Sequence, residues 1–310
     1  MDFVDILLMI DKINSTFKFV KKSELKFDSS GILVKYSGHV YEYQPLNIET
    51  NVPRTIVFGI SRKYMLRELQ IYRTMNVNTP EPNTENIQKL HYVVEQEDEI
   101  CNRKINIVGL LLDKMDCKLD SYFKNAEINK NLSEYNILKW TVQIATALDY
   151  CHRKGIVHRS VDPTAIGIVG DNAKLCNFRT ARLKGPTMTS GTTGEYRAPE
   201  TIADNKTVRF NAYGTPADVY SFGALILAML IKRTYDIKAV IDMNDQSKIK
   251  EEIAKERGDG HLAKKFSRLI LTAVSRDPNT RCSMQGMIEK LEKIKKEWEK
   301  IKKTTSETIV

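Results

Sequence analysis

The chain has 310 residues, 42% of them hydrophobic, and a formal net charge of +9. That length suits one large domain or two lobes, and with this apolar content it excludes wholesale disorder; no run of about eighteen apolar residues is present to span a bilayer. The basic balance raises nucleic acid or anionic lipid as partners, yet no RNP-like, zinc-finger or basic-zipper pattern accompanies it, so we read it as a mildly basic solvated surface.

Between Gly31 and Ile60 the stretches "ILVKY", "HVYEY" and "RTIVFGI" have β character and are separated by turn-prone residues. "SRKYMLRELQIYRTM" then places Met65, Leu69, Tyr72 and Met75 on one helical stripe behind the capping candidate Ser61. "NVNTPEPNTEN" reads as a polar loop, and "INIVGLLLDKM" as a buried strand running into a turn. From Ser133 onward the pattern is helical. "SEYNILKWTVQIATALDYCHRKG" aligns Ile137, Trp140, Ile144, Leu148 and Cys151, with basic residues and a glycine at its end. "DVYSFGALILAMLIKR" is apolar nearly all round, which predicts a helix at a domain centre, and "LAKKFSRLILTAV" and "SMQGMIEKLEKI" supply further helices. In the last of these, Met284, Met287, Leu291, Ile294, Trp298 and Ile301 form a heptad-like seam. A helix lying back on its own domain is the preferred reading, with self-association or membrane-surface binding as alternatives.

The five cysteines, Cys101, Cys117, Cys151, Cys176 and Cys282, are scattered and include no CxxC pair, so free thiols are expected rather than disulfides or a zinc site. The opening "MDFVDILLMIDK" has acids where a signal peptide carries positive charge, and we read the chain as intracellular and cytoplasmic.

Four segments in order resemble the motifs of the eukaryotic protein kinase family, specifically its tyrosine-kinase-like branch. "GIVHRSVDPTA" is similar to the catalytic loop and "KLCNFRTAR" to the metal-binding segment. "EYRAPE" is similar to the end of the activation segment, and "DVYSFG" to the central buried helix. The resemblance covers roughly residues 25 to 296. It implies an α+β bilobal fold: a small antiparallel β-sheet with one helix (about 25–114), then a larger, mainly α-helical lobe (about 115–296). Residues 1–24 are left as an N-terminal extension and 297–310 as a C-terminal helix extension and tail.

The family's chemistry needs positioned cations on the transferred phosphate, metal-chelating anions and an aspartate that accepts the hydroxyl proton. The resemblance puts Ser160 at the base position, and loss of such a base typically lowers rate by about 10²–10⁴. The second-metal position is Ala165. The chelating aspartate is replaced by Asn177, whose neutral amide is a poorer partner for a hard dication, and Arg179 follows it in place of glycine. Asp162 replaces the loop lysine, turning attraction for phosphate into a repulsion of ~1–4 kcal/mol between unit charges about 4 Å apart. The strand lysine position holds Phe58 or Gly59, leaving Glu68 without its usual cationic partner. The phosphate-covering glycines are reduced to Gly38, with Leu33 and Lys35 at the other positions, and Gly167 stands beneath the adenine position.

No catalytic residue is therefore expected to function, and no resident cofactor or metal is expected. Weak candidates for nucleotide contact are Lys35, Gly38, Val40, Glu68, Leu112, Asp113 and Met115, with Asn177 as a weak metal ligand. The retained positions are architectural: Tyr72, His158 and Phe178 as a stacked spine, Asp218 fastening the catalytic loop, and Glu200 paired with Arg281. The leading reading is a pseudokinase, a signalling scaffold or allosteric regulator engaging another protein such as an active kinase or an adaptor. One alternative is an unorthodox Ser/Thr kinase binding ATP and Mg²⁺ with Asp162 as a displaced base, a role that fails if Asp162 caps a helix. Another is a basic lipid- or nucleic-acid-binding module. Thr187, Thr189, Ser190, Thr192 and Thr193 are candidate phosphorylation sites.

Overall fold

The computed structural model describes residues 18–21, 35–37, 40–43, 54–58, 62–76, 83–96, 106–125, 132–185, 194–202, 214–241 and 247–307. The chain divides into two compact units, Met1–Asp116 and Cys117–Val310.

In the first unit six described strands form one sheet: β1 (Lys18–Lys21), β2 (Lys35–Ser37), β3 (Val40–Tyr43), β4 (Arg54–Phe58), β5 (Leu90–Gln96) and β6 (Asn106–Asp113), in the order β1-β5-β6-β4-β3-β2. The pairings are antiparallel except that β1 lies parallel to β5 at the edge, Lys18 opposite Tyr92. The segment assigned to an N-terminal extension thus contributes a strand. Its "KFVK" is too short and too basic to announce itself. Helix α1 (Arg62–Met75) packs against β6 and buries Met65, Leu69, Tyr72 and Met75, the stripe read from the sequence. The capping candidate Ser61 lies outside the described residues.

The second unit is mainly helical. Its described helices are α2 (Leu119–Lys124), α3 (Glu134–Arg153), α4 (Thr215–Ile231), α5 (Ile237–Val240), α6 (Ser247–Arg257), α7 (His261–Ala273) and α8 (Met284–Glu307). Short strands accompany them: β7 (Cys117–Lys118), β9 (Ile166–Val169) and β10 (Asn172–Leu175) form one sheet, and β8 (Ile156–Val157) pairs with β11 (Arg182–Leu183). Ser133 caps α3, its hydroxyl accepting the Asn136 amide at 3.1 Å, and Gly155 with φ +73° turns the chain out of the helix. Helix α4 is buried from Ala217 to Ile231, as its apolar sequence demands. Gly223 lets α7 approach it: a Cβ there would meet that of Ala273 at 2.7 Å.

The terminal helix α8 packs along α3 and α7, burying Met284, Met287, Leu291 and Ile294. Beyond that core, Trp298 donates its indole N–H to Glu134 at 3.3 Å and stands 6.0 Å from the Tyr135 ring. The seam is covered by its own unit from Met284 to Ile294, while Ile301 at its far end is exposed. Among the described residues no helix is long and apolar enough to cross a membrane.

Arg281 closes the second unit from inside. Its wholly buried guanidinium makes a bidentate pair with Glu200 at 2.6 and 2.9 Å, donates to the carbonyls of Ser275 and Pro216, and lies 5.1 Å from the Tyr220 ring. Removing the carboxylate strands a buried cation, so Glu200→Ala is expected to cost about 3 kcal/mol or more in denaturant unfolding, with Glu200→Asp losing less.

Candidate functional site

The segment His158–Asn177 is organised around one buried carboxylate. Asp218, in the first turn of α4, accepts the backbone amides of His158 and Arg159 at 2.8 Å each and the Nε2–H of His152 at 2.9 Å. Burial alone raises its pKa, but the hydrogen bond and charge of His152, with the amide of Arg159, hold it below the ordinary aspartate range. The clamp holds Arg159 at φ +72°, a conformation few arginines adopt, and its guanidinium donates to the Thr180 carbonyl at 3.1 Å. The His158 ring is fully buried, donates from Nε2 to the Cys176 carbonyl at 3.0 Å and packs edge-on against Phe178 at 5.0 Å. Burial holds its pKa down, and Nδ1 has no partner among the described residues, so the ring is neutral with its proton on Nε2.

The chemistry-bearing positions hang from this frame. Ser160 Oγ donates to Asp162 Oδ2 at 2.9 Å, while Asp162 Oδ1 accepts the Thr164 amide at 2.8 Å and its hydroxyl at 2.5 Å. Asp162 therefore caps the short 3₁₀ turn Pro163–Ala165 and also holds the Ser160 hydroxyl. Ala165 is a buried methyl. Asn177 sits in the left-handed region at φ +65°, which asparagine tolerates, and its Oδ1 accepts the Nε–H of Arg179 at 3.0 Å. The oxygen offered for metal binding is thus covered by a cation. Tyr196 donates to the Thr234 carbonyl at 3.2 Å, and burial, then the charges of Asp162 and Glu195, push its phenol up.

In the first unit, Glu68 and Tyr72 are buried on α1, and Leu112 and Met115 are buried at and beyond the end of β6. Asp113 is a structural hub: its carboxylate receives the His91 ring at 2.7 Å and the Lys89 amide at 3.1 Å, and its carbonyl receives Gln88 at 2.8 Å. Lys35 and Val40 lie on paired strands β2 and β3, with Val40 opposite Val57 of β4, whose last residue is Phe58. Gly38, Gly59, Thr187, Thr189, Ser190, Thr192 and Thr193 lie outside the described residues. Of the cysteines, Cys151 and Cys176 are buried and Cys117 and Cys282 half-buried, none of the four in a disulfide; Cys101 lies outside the described residues.

Reasoning from the sequence missed His152 as the third partner of Asp218 and Lys118 as the partner of Cys176. No local pattern marks contacts 66 and 58 residues apart.

The protein kinase domain family matches residues 55–291. The chain belongs to this family. Cyclin-dependent kinase F-4 of Oryza sativa subsp. japonica is 30% identical over 168 residues, covering 53% of this chain and 32% of that protein. The MAPK/MAK/MRK overlapping kinase of Homo sapiens is 35% identical over 140 residues, 44% of this chain and 30% of the relative. Mitogen-activated protein kinase mpkC of Aspergillus niger is 30% identical over 126 residues, 40% and 29% respectively. The matches thus span about a third of these relatives' lengths. Within the kinase domain Asp218 holds the His158 amide and Glu200 pairs with Arg281, while Ser160 bonds Asp162 and Arg179 bonds Asn177.

Two outcomes follow from this geometry. Asp218 contributes stability that is complete above the ordinary aspartate pKa of about 4 and is lost as pH falls through its lower folded value. Urea unfolding between pH 7 and pH 3 should show this acid loss in the parent and a shallower one in Asp218→Asn, which is less stable at neutral pH. Asp162→Ala, which removes a cap, should lower stability by about 1 kcal/mol, whereas Asp162→Asn retains most of it.

Proposed function

We propose that this chain is a pseudokinase: a protein kinase domain that acts by contact, as a scaffold or allosteric regulator of a partner protein, and does not transfer phosphate. The observation that carries this reading is the 3.0 Å hydrogen bond from Arg179 Nε to Asn177 Oδ1. A guanidinium occupies the ligand oxygen and brings a positive charge to the place where a dication would bind, so metal and side chain compete. Ser160 carries no charge at neutral pH and its hydroxyl is already donated to Asp162. The relatives' kinase names support the fold, and the substituted positions speak against the reaction.

The partner we propose is another intracellular protein, such as an active kinase or a signalling adaptor, met in the cytoplasm. The surfaces put forward are α1 around Glu68, residues 182–196 with their candidate phosphorylation sites, and the outer face of α8. The relatives are cyclin-dependent and mitogen-activated kinases by name, while the likeness to the tyrosine-kinase-like branch rests on the four motif segments of the sequence; the proposal needs neither. The displaced-base alternative has the relatives' kinase names in its favour; against it stands the place of Asp162 as a cap that accepts from Ser160 and Thr164.

The test is a melting comparison of the purified chain with and without millimolar ATP, with and without Mg²⁺. A nucleotide present at 100 times its dissociation constant stabilises a protein by ~2.7 kcal/mol. No magnesium-dependent rise in Tm is expected, and no transfer of labelled phosphate to the chain or to a generic protein substrate. A magnesium-dependent rise accompanied by transfer above that of an Asn177→Ala preparation would overturn the proposal.

A further inference from the structure

Two groups that the family's chemistry does not use meet in the second unit. The Nζ of Lys118 lies 2.6 Å from Sγ of Cys176, and the same sulfur lies 3.1 Å from the Ala165 carbonyl oxygen. The backbone sets this meeting. β7 pairs with β9 so that Lys118 stands opposite Gly167, which has no side chain, and β9 pairs with β10 through Ile166 and Leu175. The Cys176 amide continues the ladder to the Ala165 carbonyl at 2.9 Å. Cys176 is fully buried and Lys118 half-buried, and among the described residues Lys118 has no carboxylate at ion-pair distance.

The separation is shorter than the roughly 2.7–3.2 Å of an ordinary N–H···O hydrogen bond, although sulfur is the larger acceptor. It is longer than a nitrogen–sulfur single bond. One bridging oxygen atom spans it. A primary amine and a thiol held in that relation, with no competing anion on the amine, are a pair prepared for joint oxidation, because proximity replaces a bimolecular encounter.

We propose that Lys118 and Cys176 are an oxidation site at which dioxygen converts the pair into a covalent Nζ–O–Sγ bridge. The ammonium first releases a proton to solvent. The neutral amine and the thiol then react with one dioxygen: one N–H bond, the S–H bond and the O–O bond break, and N–O and O–S bonds form. The second oxygen atom leaves as water with the two hydrogens. Nitrogen and sulfur each lose two electrons, and dioxygen accepts all four. Two equivalents of a dithiol return the four electrons and restore amine, thiol and water. The bridge ties β7 to the residue before Asn177, across a separation of 58 residues, so the stiffness of the segment bearing Asn177 and Arg179 depends on oxidation. The inference does not depend on whether the chain transfers phosphate.

The full chain, purified with reductant, is divided into a sample held without oxygen and one held in air-saturated buffer, and both are digested and mapped by mass spectrometry. The expected product, in the aerated sample alone, is a peptide pair joined through Lys118 and Cys176. Its mass is the sum of the two peptides plus one oxygen less two hydrogens. Trypsin no longer cleaves after Lys118, dithiothreitol reverses the change, and the aerated chain melts higher than its reduced form. Lys118→Arg, which keeps the charge, should abolish the product. Recovery of Cys176 as a free thiol, as a disulfide with Cys117, or as a sulfinic acid beside an unmodified Lys118 would overturn the proposal. The unmutated chain alone decides among these, so a variant that folds poorly does not blunt the test.

Discussion

A single carboxylate with two backbone amides on it governs the geometry of the second unit. Asp218 sits in the first turn of α4, where the helix dipole favours negative charge, and receives the amides of His158 and Arg159 together with the ring of His152. Those bonds hold Arg159 in a left-handed conformation that on its own costs on the order of 1–3 kcal/mol. With the backbone fixed there, the His158 ring is aimed at the Cys176 carbonyl and at Phe178, and the segments around 160 and 177 are brought into one frame. Ser160, Asp162, Asn177 and Arg179 are where they are because Asp218 is where it is.

This explains how architecture and chemistry separate in one chain. The partners of Asp218 lie 59 to 66 residues away, and those of Arg281 include Glu200 at 81 residues. Replacing such a residue breaks contacts between distant parts of the fold. The bonds from Ser160 to Asp162, from Thr164 to Asp162 and from Arg179 to Asn177 each span two residues. Substitution there is absorbed locally, as a cap or a side-chain pair, and costs the fold little. A scaffold can therefore lose the anions that metal and proton transfer require and keep its backbone, which is the circumstance the pseudokinase proposal describes.

The sequence disclosed what depends on periodicity and motif order. The all-apolar run of α4 announced a central helix, the stripe of α1 its buried face, and the seam of α8 a helix lying on its own domain. Hidden from it were features decided by pairing over distance. Strand β1 is four residues with lysine at both ends and is defined by its partner β5, so it fell within a presumed extension. Asp113 is among the weak candidates for nucleotide contact; what the sequence did not show is that His91 and the Lys89 amide engage its carboxylate, since both lie more than twenty residues earlier. The substituted motif positions were legible as residue types. That Arg179 would turn back onto Asn177 was not, since a side-chain direction follows from the left-handed backbone at 177.

The same separation bears on how the chain can meet a partner. The apolar stripe of α8 is buried from Met284 to Ile294, and Trp298 is tethered to Glu134 at the start of α3, so that face is spent on the chain's own unit. Recognition through α8 would then use its outer face, where Glu289 and Glu292 are followed by Lys293, Lys296, Glu297 and Lys300, charges of both signs that line an open groove together with Ile288. Charge of mixed sign on a fixed helix favours register and choice of partner over tight burial, because exposed ion pairs each contribute little to affinity. Under the pseudokinase proposal, a frame that presents such a face would hold a partner in a defined orientation, and the contacts of Asp218 and Arg281 supply the stiffness which that task requires.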